Sequence, residues 1–343
     1  MQYPFKNLVF EGGGVKGIAY VGAMQELEKK GIFGGITRVG GTSAGAINAM
    51  LIGLGYSNEE MRNILWGMDF NKFMDTDLGF LRNCFRLLHS YGWFKGDFCR
   101  SWVGSLVANK TGSCDTTFAQ IEAMKIKKPF KSMYFMTTNL ATGFSEVFSV
   151  EKTPDTSIAD AVRLSMSIPF LFAARRHGER QDIYLDGGIL DNYPIKMFDR
   201  KRYIAEQENA RKTEYYNAIN TEFLAMHPQS SPYIYNKETL GFRLDGKEKI
   251  SLFRDQKEPA RREIRGIFAF IKNVVLTYLD SQDNTHLHSD DWQRTIYIDT
   301  LGVGTTEFSI ADDTKKALLD SGGEWTRKYF EWYDKPETVS ANK

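Results

Sequence analysis

A serine bracketed by glycines is the first group in this chain with the makings of a nucleophile. Gly41-Thr42-Ser43-Ala44-Gly45 fits Gly-x-Ser-x-Gly. In that pattern a serine on a sharp strand-to-helix turn is held in strained backbone geometry, its hydroxyl projected and its neighbours cut back to glycine. Such a hydroxyl needs a base. Asp186, in Asp186-Gly187-Gly188 at the end of a short apolar run, either takes the proton of Ser43 or caps the next element. Asp191, in Asp191-Asn192-Tyr193-Pro194, competes with it and reads as a turn residue. A Ser…Asp…His order requires a later histidine, and the options are His227, His286 and His288. None of them follows a strand-end turn, so each reads as a surface histidine. A Ser43–Asp186 pair without histidine fits better.

A second glycine cluster, Gly12-Gly13-Gly14-Val15-Lys16-Gly17, satisfies Gly-x-Gly-x-x-Gly. A dinucleotide fold wants an acidic residue about 20 positions later, at the end of the next strand. Here that strand runs into Gly-Gly-Thr-Ser. A P-loop fails as well, because Gly17 is followed by Ile18. Two readings remain. One is an ordinary tight turn. The other is a loop whose backbone N–H groups converge before a helix N-terminus and suit an oxyanion or a phosphate. A nucleotide-phosphate site on Gly12–Gly17 stays as a rival, and it predicts binding indifferent to Ser43.

Elements of fixed order must carry these turns. Residues 7–10 read as a buried strand, 17–30 as a helix stopped by Gly31, 36–39 as a second strand, 40–45 as the second glycine turn and 44–54 as a buried helix. Strand, glycine turn, helix, repeated, is the signature of a mostly parallel α/β sheet with functional loops at strand C-termini. Strands are expected at 133–140, 146–150 and 183–185, and a helix at 157–167 ending before Pro169. Residues 199–220 read as a charged surface helix or insert. Residues 258–278 read as a long amphipathic helix with Ile264, Ile267 and Val274 on its apolar face and Arg261, Arg262 and Arg265 largely off it, docked on the sheet by default, with a place on anionic lipid as the alternative. Residues 66–94 are rich in Trp, Phe, Met and Leu with interleaved cations. That stretch is either packed core or a lid or interfacial surface.

Composition narrows the class. The 343 residues carry 44 Lys+Arg against 43 Asp+Glu, a net charge of +1, so the counterion-release term of a nucleic-acid binder is missing and no nucleic-acid partner is expected. A hydrophobic content of 42% excludes a mostly disordered chain. The longest uncharged stretch, residues 39–58, is too rich in glycine and polar groups to span a bilayer. Three cysteines without a Cys-x-x-Cys pair argue against a disulfide framework or a zinc site, so no metal is expected. The N-terminus lacks an apolar signal core, and a cytoplasmic protein, peripheral at membranes, is expected, with export by an uncleaved signal left open. No linker or repeat divides the chain. A single domain over 1–343 is expected, its core at about 5–200 and 201–343 a C-terminal extension packed on it.

Taken together, Glu11-Gly-Gly-Gly-Val-Lys-Gly17, Gly41-Thr-Ser-Ala-Gly45 and Asp186-Gly-Gly188 resemble the three ordered blocks of the patatin-like phospholipases, as do Ser165-Met-Ser-Ile-Pro169 and residues 185–194. The resemblance implies a three-layer α/β/α fold and a lipid acyl hydrolase of the phospholipase A or lysophospholipase kind. An acyltransferase or general carboxylesterase on the same pair is the alternative. It implies Ser43 as nucleophile, Asp186 as general base, and an oxyanion hole from the N–H groups of Gly12, Gly13 and Gly14 with Ala44 contributing. Gly41 and Gly45 would form the nucleophile elbow. Lys16 stands where the family often has arginine and is a candidate phosphate contact without the bidentate fork. No cofactor is implied. The expected partners are a phospholipid or lysophospholipid substrate and a transiently touched membrane surface, with room for an activating partner or an oligomer.

Overall fold

The computed structural model describes residues 3–75, 89–245 and 290–343 except 306 and 308, with isolated positions between 264 and 277. Strand β1 (Asn7–Phe10) alternates as a strand buried on both faces must. Leu8 and Phe10 enter the main core and Val9 enters a smaller cluster on the opposite face. A 3-10 turn (Gly14–Ile18) leads into α1 (Ala19–Lys29). Strand β2 (Arg38–Thr42) runs later than its apolar residues suggest. Gly40 and Gly41, expected in the turn, are strand residues laddered between Val9 and Phe10 on one side and Tyr134 and Phe135 on the other. Helix α2 (Ala44–Gly53) follows, buried along its whole length, then α3 (Asn58–Trp66), started by a Ser57–Glu60 capping box.

Next come β3 (Gly92–Phe94), α4 (Asp97–Thr111), α5 (Phe118–Met124), β4 (Ser132–Asn139), β5 (Phe144–Phe148), α6 (Ile158–Ser165), β6 (Phe170–Phe172), β7 (Arg175–His177) and β8 (Asp182–Asp186). The chain continues through β9 (Ala210–Arg211), α7 (Glu214–Met226), β10 (Tyr235–Asn236), β11 (Thr239–Asp245), β12 (Thr295–Asp299) and α8 (Asp312–Tyr333). The central sheet has the order β12-β11-β1-β2-β4-β8-β7, with β5 also on β4. Every pairing from β12 to β4 is parallel; β5, β7 and β8 are antiparallel. The fold is thus mixed α/β around a mostly parallel sheet flanked by helices. Residues after 200 supply two of its strands, β11 directly beside β1. On the second face, Tyr193, with Ile195, Phe198 and Tyr203 from two 3-10 turns, covers Val9 and Tyr134.

Two local expectations change, and a third is narrowed at one residue. Residues 199–220 do not form one surface helix: Asp199 is fully buried and the helix starts at Glu214. Most of 258–278 lies outside the described residues, but Ile264, Ile267 and Val274 are exposed, which removes these three from a face docked on the sheet. Of the aromatic stretch 66–94, Phe73 is buried against Phe98 and Trp102, as core packing requires, while 76–88 lie outside the described residues.

Candidate active site

The strand register brings the serine and the aspartate together. Strand β5 occupies one edge of β4 over residues 135–139, so β2 and β8, which pair with overlapping positions, share the other edge. They run along it from opposite directions. Thr42 of β2 pairs with Met136, and Asp186 of β8 with Thr137, the very next residue of β4. Two strands therefore end against each other, and Ser43 and Asp186 leave the sheet at that junction. Residues 143 positions apart in sequence meet because one parallel and one antiparallel strand stop at adjacent rungs of β4.

Ser43 sits at φ 54°, ψ −120°, a conformation costly for a residue with a side chain. Its surroundings hold it there. The Ser43 N–H donates to Ser165 Oγ at 3.0 Å, and Ser165 Oγ donates to the Met136 carbonyl at 2.6 Å. The Ser43 carbonyl accepts from the N–H groups of Ala46 and Ile47. The end of β1 presses on the elbow so closely that a Cβ on Gly45 would stand 2.4 Å from the Phe10 carbonyl oxygen, and one on Gly41 would stand 2.6 Å from Gly45. Gly-x-Ser-x-Gly is here a packing requirement.

Asp186 is 4% exposed and Ser43 8%. The Asp186 N–H donates to the Ser167 carbonyl at 2.8 Å, and its own carbonyl accepts from Thr138 Oγ1 at 3.1 Å. Oδ1 accepts the Gly188 N–H at 2.8 Å. Oδ2 is buried with no donor in hydrogen-bonding geometry. Burial pushes the carboxyl up to about 7, against the Gly188 N–H, the Ser43 hydroxyl and the Arg163 guanidinium, which favour its charged form. The Ser43 hydroxyl is thus close enough to act on the carboxylate without yet being hydrogen-bonded to it. Proton-accepting groups often tighten only when substrate is bound. The hydrogen bonds of this pair reach no histidine among the described residues. His227 sits at the C-terminal end of α7, and His286 and His288 lie outside the described residues.

The glycine loop lies against the same elbow, with one correction. Gly12 is not an available oxyanion donor, because its N–H donates to the Asn192 carbonyl at 3.1 Å. Asn192 Nδ2 returns a bond to the Gly12 carbonyl at 3.3 Å, so the turn after Asp186 and the glycine loop clasp each other. The role of Gly12 is steric: a Cβ there would stand 2.4 Å from Asn192 Oδ1 and 3.3 Å from Ser43 Cβ. Gly14 has φ +57° and lies under the Thr305 carbonyl, while Gly13 lies against Leu244, with the stem of Lys16 folded over it. Ala44 opens α2, where the first N–H groups have no intrahelical acceptor. Glu11 anchors the loop from below: its buried carboxylate accepts the Leu244 N–H at 2.6 Å, beside Arg243 of β11. Beside the loop opens a cavity of about 440 Å³. Val15, Ile18, Leu65, Trp66, Met68 and Ile310 give it apolar walls, and Asp69, Asn71, Asp312 and Lys315 are among its polar lining.

Sequence reasoning missed Ser165 and Asn192 as positioning groups. Both lie in stretches already marked by resemblance, but nothing in their spacing says that they reach the elbow and the loop. Among the described residues, no cluster of His, Cys, Asp or Glu is suited to a metal ion, and no helix is long and apolar enough to cross a membrane.

Comparison with known proteins agrees with this architecture. The chain is 27% identical to the uncharacterized protein YqhO of Bacillus subtilis over 333 residues, 94% of this chain and 96% of that one. It is 27% identical to the probable lipid hydrolase 463L of Invertebrate iridescent virus 6, over 64% of this chain and 71% of that one. The crystal structure of VipD from Legionella pneumophila superposes with a TM-score of 0.58 at 18% identity, over 95% of this chain and 67% of that one, a likeness of fold. The sequence model of the patatin-like phospholipases matches residues 8–199, more than half of the chain, and the protein belongs to that family.

Proposed function

We propose that this protein hydrolyses fatty-acyl esters of phospholipids or lysophospholipids through an acyl-serine intermediate. The observation that carries the reading is the junction of β2 and β8, where Ser43 leaves a strained turn next to the buried, unpartnered Oδ2 of Asp186. Ser43 Oγ attacks the ester carbonyl carbon and its proton passes to Asp186. The carbonyl oxygen takes up the negative charge against the N–H groups of Gly13, Gly14 and Ala44; one such donor is typically worth ~10²–10³ in kcat. The tetrahedral intermediate expels the alcohol, which leaves with the proton from Asp186. A water molecule then repeats the sequence on the acyl-serine and frees the fatty acid. A substrate drawn from a bilayer requires transient contact with its surface.

The test is fatty-acid release from mixed phospholipid and lysophospholipid micelles by wild type and Ser43→Ala. Loss of the nucleophile is expected to lower turnover by roughly 10³-fold or more. Equal release by both proteins removes Ser43 from the reaction. Release from simple esters alone moves the reading to a general carboxylesterase.

A further inference from the structure

Arg163, on α6, is 2% exposed, and its guanidinium pairs with no carboxylate among the described residues. Nε donates to the Gly96 carbonyl at 2.8 Å, and Nη2 to the carbonyls of Lys95 and Ala173, both at 3.0 Å. Nη1 donates to Ser167 Oγ at 2.8 Å. These acceptors satisfy the N–H groups but do not neutralise the charge. A buried cation whose N–H groups all end on neutral acceptors carries a large desolvation cost. Ser167 shows where the field goes. The residue that receives Nη1 on its hydroxyl gives its carbonyl to the Asp186 N–H. The guanidinium is therefore fixed one residue away from the backbone seat of Asp186.

We propose that Arg163 is a positioning residue whose buried positive charge, locked by the carbonyls of Lys95, Gly96 and Ala173, holds Asp186 in the ionised form that accepts the Ser43 proton. The inference rests on the reading of Asp186 as the base. The groups around the pair are consistent with it. Asp186 interacts with the hydroxyl of Ser43, which caps α2, and with Arg163 of α6, and Asp191 lies in the following turn with its N–H on the Gly187 carbonyl. Arg163 is flanked by Cys99 and Asp97 of α4, by Asp75 and by Arg175. Asp97 is ion-paired with Arg175, and Asp75 accepts the N–H groups of Gly96, Asp97 and Phe98. Burial pushes the Cys99 thiol up to about 11, which keeps it neutral. None of these carboxylates takes Arg163 for itself.

The experiment is the pH profile of kcat/KM on a soluble p-nitrophenyl ester for wild type, Arg163→Lys, Arg163→Met and Arg163→Gln. The glutamine variant keeps donors for the carbonyls and drops the charge. The acid limb is expected to keep its midpoint in Arg163→Lys and to move up by about one unit or more in both neutral variants, with activity largely recovered on the alkaline plateau. A uniform loss of rate with an unmoved midpoint would show a merely structural arginine and overturn the proposal. A second readout needs no turnover. In denaturant unfolding at pH 8, Arg163→Gln should cost less in an Asp186→Asn background than in wild type; additive costs also overturn the proposal. If no variant, wild type included, cleaves any ester, the reading of Asp186 as a base falls, while the unfolding cycle still decides whether the two charges are coupled.

Discussion

Asp186 is kept in conditions that a carboxylate selected for stability would not meet. Its ordinary value lies near 3.8, and burial raises it to about 7 in the fold. Between those pH values the folded chain holds a proton that the unfolded chain has released. The stabilisation that goes with this proton is complete below about 3.8 and is lost as pH rises through about 7. Asp186→Asn cannot ionise, so it is expected to match wild type in stability near pH 4 and to exceed it at pH 8. At 1.36 kcal/mol per unit the gain is on the order of a few kcal/mol. Denaturant unfolding across that range checks it, and a difference independent of pH would exclude a raised carboxyl. The same variant should be inactive, which separates stability from function at one side chain. Activity of wild type should correspondingly rise with pH through about 7. Ser43 and Asp186 were legible in the sequence because local glycine turns announce both. The spent N–H of Gly12 was not, because its acceptor lies 180 residues away on Asn192.

Individual elements were legible where apolar runs end in glycine or proline, as at β1, α2 and β8. The end of β2 was not, because Gly40 and Gly41 look like turn residues when read alone. They are strand residues because β1 and β4 supply hydrogen-bond partners on both sides and because side chains at 41 and 45 would collide with the crossing backbone. Gly45→Ala tests this claim. Its methyl group would meet the Phe10 carbonyl oxygen at 2.4 Å and that of Glu11 at 2.6 Å, both rigid main-chain atoms. The expected result is a loss of at least ~2–3 kcal/mol of stability together with activity, since relief of the clash must move the elbow. Gly34→Ala is the control. A Cβ there meets nothing within 4 Å, so stability should stay level or rise slightly. If both variants unfold at the same denaturant concentration as wild type, the elbow is not sterically enforced.

At the scale of the whole molecule, the chain after residue 200 was the least legible part, because its ties to the rest are long-range and polar. Its strand β11 braces the glycine loop through the bond from the Leu244 N–H to Glu11, so the site is built from both ends of the sequence. A buried ion network sews the two together. Arg294, fully buried, makes paired bonds to Asp199 at 2.7 and 2.6 Å, reaches Asp291 at 2.6 Å and the Asn236 carbonyl at 3.2 Å, and Tyr216 donates to the same Asp199. Asp199 closes the stretch matched to the family, and every other member lies beyond it. Removing the cation leaves Asp199 without its counter-ion in the interior and Asp291 with Lys196 alone at 3.6 Å. Arg294→Met is therefore expected to cost ~3–5 kcal/mol, measured by denaturant unfolding, with activity per folded molecule retained because no member of the network belongs to the junction of β2 and β8. Adding Asp199→Asn and Asp291→Asn to Arg294→Met should recover part of the loss, since the cost lies in the unpaired charges rather than in a missing contact. Equal stability of the single and triple variants would assign the cost to packing. If Arg294→Met also abolishes turnover in the folded protein, the coupling between the C-terminal strands and the junction of β2 and β8 is tighter than the bond from Glu11 to Leu244 accounts for.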